Sequence, residues 1–407
     1  MTYCSLQIYT PIFTITRQNT HRHKKEGNTH ISNKELILVG GGHAHVQVLK
    51  LWGLNPLAGV NLTLISPQHQ TPYSGMLPGL IAGHYSQAAT HIDLIQLCQF
   101  AGAKFIQASL AHIDLAGKQL HLNENDHTIK FDVLSLNSGI TPNLTIEGVS
   151  DFATPVKPIS EFYPRWQQTL DELCSENTAK SIGVVGGGAA GVELTLAMQH
   201  AVLHHAGISR EVRFHFVYRD DEPLKQFPRR IRHRVHAALT KAGIALHNHS
   251  EVCKLKHNKM YFADKHSLHC DYIFWCTSAS APEWPKKSGL DTDKQGFIRV
   301  HDTLQSSSHS FVFASGDVAQ QYNHPRPHAG VFAVRQGPIL FQNLQRKLLA
   351  KPLVKHRPQQ HFLSILALGD KEAIAYRRFF PALQGGWVWR WKDTIDRRFM
   401  AMFSKLN

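Results

Sequence analysis

Short apolar runs and helix-spaced apolar stripes alternate along this chain, and one block of them occurs twice. From Lys34, the run Leu36 to Val39 predicts a strand; a glycine cluster follows, and then Val46, Val48, Leu49 and Leu51 predict a helix. The same order returns in SIGVVGGGAAGVELTLAM, with a strand over 181–185, a glycine cluster, and a helix that carries Val192 and Glu193. Gly40 and Gly186, where the clusters begin, stand 146 residues apart, too far for a short repeat and suited to two separate folds. Second strands are predicted at NLTLIS (61–66) and VRFHFVY (212–218), and strands that return to close each sheet at DVLSLNSG (132–139) and DYIFWCT (271–277). A further strand, Phe311 to Ala314, runs into Ser315-Gly316-Asp317, an acid just past a strand's carboxyl end, where open α/β sheets bind ligands. The predicted fold class is α/β: two Rossmann-like dinucleotide-binding domains of the three-layer ββα type, plus a small C-terminal segment.

Composition agrees with a folded chain of this size. The 407 residues suit two or three domains, and 43% hydrophobic with 18% charged residues is a globular balance. Residues 1–33 stand apart: an apolar patch, Ile8 to Ile15, precedes the basic stretch His21 to Lys25, the reverse of a secretory signal, so a disordered leader is expected. No run approaches the ~18 apolar residues of a membrane span. Against 30 acidic residues stand 44 Lys and Arg, an excess of +14 that favours anionic partners: nucleotides, nucleic acid or an acidic membrane. The cations are dispersed, with no stacking motif among them, so no nucleic-acid partner is expected. Cys4, Cys98, Cys174, Cys253, Cys270 and Cys276 form no CxxC or CxxxxC pair, which fits a reducing, cytoplasmic setting and removes a local dithiol centre. No metal site is expected, because His21 and His23 lack a Cys or acidic partner nearby.

The glycine clusters carry the candidate chemistry. In the first, Gly40-x-Gly42-x-x-His45, Gly40 permits a sharp turn and Gly42 lets a pyrophosphate approach the helix N-terminus, while His45 fills the third position of the fingerprint. The second, Gly186-x-Gly188-x-x-Gly191, is complete. An acid that grips a ribose is expected at the end of each second strand; the first strand ends in the hydroxyl of Ser66, whereas the other ends in Tyr218, Arg219 and Asp220. Asp220 suits a 2′-hydroxyl and Arg219 a 2′-phosphate, which leaves NADH and NADPH both open.

GGGHAHV, LNSG, VVGGGAAGVE, ASGDVA and HAGVFAVRQGPILFQNL, in that order, resemble the flavoprotein family with two dinucleotide folds, which includes type II NADH:quinone dehydrogenases, sulfide:quinone oxidoreductases and pyridine nucleotide-disulfide reductases. Through TPYSGMLPGLIAGHY and GWVWRWKDTIDRRFM the chain also resembles the FAD-dependent module fused ahead of selenide, water dikinase in some organisms. The resemblance implies an FAD fold at 34–155 and 291–347, split by an NAD(P)H fold at 156–290, with 348–407 as an interface or membrane-associated segment. It implies that Gly40, Gly42, His43, Ala44 and His45 hold the FAD pyrophosphate, that Pro72 lies in a loop approaching the flavin ring, and that Gly139 ends the return strand. Gly316 and Asp317 match the acid turn of the ribityl region, and Ala329 to Gly337 the helix facing the flavin's pyrimidine edge. Gly186, Gly188, Gly191 and Glu193 match the NAD(P)H site.

The expected activity is that of an FAD-dependent NAD(P)H dehydrogenase: hydride passes from NADH or NADPH to flavin, and electrons pass on to a quinone or another small acceptor. The alternative is an accessory, non-turnover flavoprotein linked to selenium metabolism. Glu193 on the nicotinamide side, with Arg335 and Gln336 on the flavin side, are the residues expected near the reacting centre; for His43 and His45, cofactor contact and helix packing stay open. No cysteine follows Cys276, which departs from the sulfide-oxidising pattern, and Arg335 stands where quinone reductases show a glutamine. In the last segment, Val388, Trp391, Ile395, Phe399, Met402, Phe403 and Leu406 share one helical face, with Arg390, Arg397, Arg398 and Lys405 mostly elsewhere. That face suits an interfacial anchor on the inner face of a membrane, packing on the chain's own core, or the contact of a homodimer.

Overall fold

A computed structural model describes residues 33–123, 128–175, 178–208, 211–277 and 279–406. The expected leader, 1–33, lies outside the described residues apart from Asn33. In chain order the elements that build the site are β1 (Lys34–Val39), α1 (His43–Leu54), β2 (Val60–Ser66), β3 (Lys104–Gln107), β4 (Val133–Leu136), β5 (Thr154–Pro155), β6 (Lys180–Val185), α2 (Ala189–Leu203), β7 (Val212–Val217), α3 (Arg229–Lys241), β8 (Ala245–His247) and β9 (Tyr272–Trp275). They are followed by β10 (Val312–Ala314), α4 (Gly330–Leu348), β11 (Ser364–Ala367), β12 (Ala373–Tyr376), β13 (Leu383–Gly385) and α5 (Gly386–Ser404).

Two five-stranded parallel sheets share one spatial arrangement around a central strand, but the edge strand is the last of its sheet in chain order in the first (β10) and the first in the second (β5). One runs β10-β4-β1-β2-β3 and the other β5-β9-β6-β7-β8. In each, the strand that precedes the glycine turn is central, so the turn opens at the carboxyl edge where the strand order reverses. Successive side chains of a strand point to opposite faces. Leu36 and Leu38 accordingly join a cluster with Val46 and Leu49 of α1 and Leu340 of α4, while Ile37 and Val39 join Ile113 and Leu120 of an antiparallel three-stranded sheet and the adjoining Phe131. The second fold repeats this division: Ile182 and Val184 of β6 pack among helix residues such as Val192 and Val235, and Val185 packs against Val252, Met260 and Phe262. Helices on one face and a small antiparallel sheet on the other give the three layers of the expected class.

The C-terminal segment clamps both folds. Strands β11, β12 and β13 form an antiparallel sheet whose Leu366 and Ile374 cluster with Leu194 and Leu196 of α2. From α5, Phe399 and Phe403 enter the cluster of α1 and α4, and Val388 packs against Ala373 and Ala375. These three are 0–6% exposed, while Trp391, Ile395, Met402 and Leu406 of the same stripe are half-buried. Much of the apolar face of α5 thus packs on the chain's own core, one of the three placements expected for it. No helix among the described residues is long and apolar enough to cross a membrane.

Candidate active site

At the first turn, Gly42 caps α1 without any capping side chain, and the amides of Gly41, Gly42 and His43 meet no protein acceptor among the described residues. A helix N-terminus left open in this way is a ready site for an anion. A Cβ at Gly42 would overlap Asn137 Oδ1, so only glycine lets the backbone come this close. Asn137, 3% exposed just past β4, is the hub of the turn: Oδ1 accepts from the amides of Ala44 (3.2 Å) and His45 (3.4 Å), while Nδ2 donates to Ser315 O (2.7 Å). It thereby ties the first glycine turn to the end of β10. Beside it, Ser315 Oγ is fully buried without a protein partner, and Asp317 lines a cleft with Gly316, Ala329, Phe332 and Gln336. Ser66, 4% exposed, ends β2, and Gly139 follows β4 at φ +77°. Open amides, a glycine cradle and an orphaned buried hydroxyl along one sheet edge fit a dinucleotide with its pyrophosphate on α1.

Two residues expected at the cofactor, His45 and Arg335, are placed otherwise, and a third, Gln336, lines the cleft in a supporting role. His45 is fully buried; its Nδ1 donates to Gly40 O (2.7 Å) and its Nε2 accepts from Ser135 Oγ (2.8 Å). Burial holds its pKa down at about 4, so the ring is neutral and structural. In the second fold the corresponding position is Gly191, where a Cβ would overlap Gly186 O. Where Gly191 lets the helix press onto that carbonyl, His45 satisfies its counterpart by a hydrogen bond. Gln336 is 7% exposed and its Oε1 accepts from Gly316 N (2.7 Å), which makes it a positioning residue for the acid turn. Arg335 stands on the exposed side of α4, within electrostatic reach of His356, and does not line the cleft. Neighbours on a helix point about 100° apart, so Arg335 and Gln336 cannot share one role.

At the second turn Gly186, at φ +134°, leads to Gly188, which caps α2 with open space before it. At the end of β7 a second cleft is lined by Arg219, Asp220, Asp221, Glu222, Lys225, Arg232 and His249. Its acids are engaged: Asp220 with Lys225 (3.0 Å), Asp221 with His249 (3.0 Å) and Glu222 with Arg232 (2.7 Å). Arg219 is exposed and pairs with no acid among the described residues.

A third set of groups converges on the loop Tyr73-Ser74-Gly75, next to Pro72. The Ser74 amide donates to His43 Nε2 (3.4 Å), the start of α4 at Gly330 faces Ser74 Oγ, and Lys392 of α5 donates to Gly75 O and Asp396 Oδ2 (2.7 Å). Burial and the nearby Lys157 hold the His43 pKa at about 4, so its ring is neutral. Glu193 of α2, expected on the nicotinamide side, faces the C-terminal segment instead and accepts from Ala367 N of β11 (2.8 Å). Burial pushes the Glu193 carboxyl from 4.5 to about 7, with Lys392 pulling it down and Asp396 up. Tyr85 donates to Asp393 Oδ1 (2.8 Å), which Arg397 also holds, and burial raises the phenol's pKa. A carboxyl balanced near neutrality beside a buried Lys–Asp pair can take up and release a proton at physiological pH.

Asn137, Lys392 and Asp396 escape sequence reasoning. Asn137 lies within the predicted return strand and its glycine turn, and its position directly before Ser138-Gly139 is the only available signal. The i,i+4 spacing of Lys392 and Asp396 reads as an ordinary helix pair. The five described cysteines are free, and burial pushes Cys98 and Cys270 up to about 12 and Cys276 higher still, so these three are held as thiols.

Comparisons with known proteins follow the same lines. Demethylphylloquinone reductase NdbB of Synechocystis sp. is 24% identical over 291 residues, 69% of this chain and 70% of that protein. Among solved structures, the sulfide:quinone oxidoreductase of Aquifex aeolicus superposes with a TM-score of 0.76 at 18% identity, covering 92% of each chain. NDH2 of Plasmodium falciparum in complex with NADH gives 0.76 at 15% identity, covering 90% of this chain and 98% of that one. The family model for pyridine nucleotide-disulphide oxidoreductases matches residues 34–337, which spans both glycine turns and the acid turn at Asp317. This chain belongs to the pyridine nucleotide-disulphide oxidoreductase family.

Proposed function

We propose that the protein is an FAD-dependent NAD(P)H:quinone oxidoreductase, with FAD on the first fold (34–155 and 291–347) and NAD(P)H on the second (156–290). The observation that carries this reading is the pair of open, glycine-cradled helix N-termini, each following the central strand of a five-stranded parallel sheet, with a titratable carboxyl, Glu193, at the start of the second helix. Bound FAD supplies two-electron chemistry, accepting hydride from the nicotinamide and passing electrons to the acceptor. The protein's part is binding, orientation and protons. Overall, NAD(P)H + H⁺ + quinone gives NAD(P)⁺ + hydroquinone, so one proton per turnover comes from solvent. Glu193 holds and releases that proton at its carboxyl, and Lys392, anchored on Gly75 O and Asp396, sets the local field.

The two segments that resemble the module fused to selenide, water dikinase, 71–85 and 386–400, meet beside this carboxyl through Gly75–Lys392, Tyr85–Asp393 and Tyr73–Phe399. The finer likeness therefore concerns the acceptor side. Quinone reductases among the named relatives support turnover over an accessory role. Anaerobic mixing with NADH or NADPH should bleach the flavin, and a short-chain quinone should restore it over repeated cycles. A purified protein without flavin, or a flavin that neither nicotinamide reduces, would overturn the reading.

At the second fold, Arg219 is the exposed cation for a 2′-phosphate. A charge-assisted hydrogen bond is worth about 1.5–3 kcal/mol, so Arg219→Ala should weaken NADPH about tenfold or more and change NADH little, as read from the concentration dependence of flavin reduction. Equal loss for both nucleotides would place Arg219 outside the 2′ site.

A further inference from the structure

Buried polar atoms are almost always hydrogen-bonded, so the exceptions mark places where a partner is missing. Among the described residues, Arg232 Nε, Asp302 Oδ1, Ser315 Oγ and Arg326 Nε are buried without one. Arg232 lines the cleft of the second fold, and Ser315 stands at the first glycine turn. Arg326 belongs to neither. It sits between two prolines in His324-Pro325-Arg326-Pro327-His328, with Nη1 donating to Pro325 O (3.1 Å). The loop is braced on both sides: His324 Nε2 lies 3.9 Å from Asp302 Oδ1, and the His328 ring centre lies 4.0 Å from that of Phe297. Arg326 is thereby presented to the cleft that it lines with Asp317, Ala329, Phe332 and Gln336. Among the described residues no ion pair joins it to Asp317, so the Nε donor is not spent on that acid.

The sheet order decides which part of a bound FAD reaches this cleft, given the reading of the first fold as the FAD fold, on which the inference rests. β2 and β10 lie on opposite sides of β1. The adenosine ribose of a dinucleotide goes to the end of the second strand, here Ser66. With the pyrophosphate on α1, the flavin half therefore runs the other way, to the acid turn after β10. The cleft contains no residue of α1 or its glycine turn, so a cation in it meets the flavin half and not the pyrophosphate. Ala329 caps α4 without a capping side chain, which opens the positive end of that helix into the same cleft.

We propose that Arg326 donates to the N1 and C2 carbonyl edge of the flavin and holds the negative charge that reduction places there. Hydride transfer breaks a C4–H bond of the nicotinamide and forms N5–H on the flavin. NAD(P)H + FAD gives NAD(P)⁺ and the reduced flavin anion, whose charge is shared by N1 and the C2 oxygen. A braced donor aimed at charge that develops in the reaction raises the flavin's affinity for electrons without reorganising.

The test is the two-electron reduction of the bound flavin in the full chain, read by anaerobic equilibration with a redox dye under xanthine oxidase. In Arg326→Gln the equilibrium constant should fall about tenfold or more, a drop of about 30 mV or more in potential. Arg326→Lys keeps the charge and should fall less than Arg326→Gln. Arg326→Met, neutral and of similar length, repeats the measurement if the glutamine variant does not fold. The variants should retain their flavin, because its pyrophosphate is held elsewhere. An unchanged potential in the neutral variants, a lysine variant as low as the neutral ones, or loss of flavin from every variant would each overturn the proposal. A wild type purified without flavin would overturn it together with the reading it rests on, whereas a flavin that NAD(P)H reduces at an unmoved potential would overturn this proposal alone.

Discussion

Asn137→Asp should strip the flavin from the protein, whereas Asn137→Ala should only weaken its binding. Both substitutions lose the Nδ2 donor to Ser315 O, a buried hydrogen bond whose loss leaves a carbonyl unpaired at a cost of about 1–3 kcal/mol. Only aspartate adds a charge. It would keep accepting from the amides of Ala44 and His45, but as an anion at the helix terminus where a pyrophosphate is to sit. A fixed carboxylate there satisfies the helix dipole and repels the ligand that the open amides would otherwise attract. Flavin content after purification and the affinity of the apoprotein for added FAD measure this. The affinity of the aspartate variant should fall about a hundredfold below that of the alanine variant, and an Asn137→Asp protein that keeps its flavin would refute the placement of the pyrophosphate at α1.

Glu193→Gln should have the next largest effect, and it has two independent readouts. In turnover, the variant keeps an acceptor for Ala367 N but loses the titrating proton, so quinone reduction should drop about a hundredfold while flavin reduction by NAD(P)H changes little. The inflection near pH 7 in the quinone half-reaction should disappear. In stability, the folded carboxyl titrates near 7 against an ordinary 4.5, so between those values the native protein binds a proton that the unfolded chain has released. That contribution is fully present below about pH 4.5 and is lost as pH rises through 7, to a total of up to about 3 kcal/mol. Resistance of the wild type to denaturation should therefore fall as pH rises over that window, and Glu193→Gln should flatten the dependence. A wild type whose stability is flat from pH 5 to 8 would refute a raised Glu193 pKa.

Arg335, standing where quinone reductases show a glutamine, points away from the cleft at Asp317. The contact between the loop at Ser74 and α5, made by Lys392, is not revealed by the apolar pattern of α5. Lys392 and Asp396 are 14% and 6% exposed in their side chains, and removing one alone would leave a buried charge unpaired.

Periodicity and glycine spacing were enough to determine the two βα turns, the return strands at Val133 and Tyr272, and the acid after β10, because each is a local pattern with a local physical cause. The absence of a dithiol pair was legible for the same reason. Contacts between distant segments were not. Asn137 gains its role from Ser315, 178 residues away, and His45 from Ser135, 90 residues away. The apolar stripe of α5 was visible, but whether it met lipid, a second subunit or its own core depended on whether α1 offered a matching face, which it does through the cluster around Phe399 and Phe403. Side-chain chemistry along the chain determined which elements form; only their packing decided which polar groups were left open for a ligand and which were already satisfied within the protein.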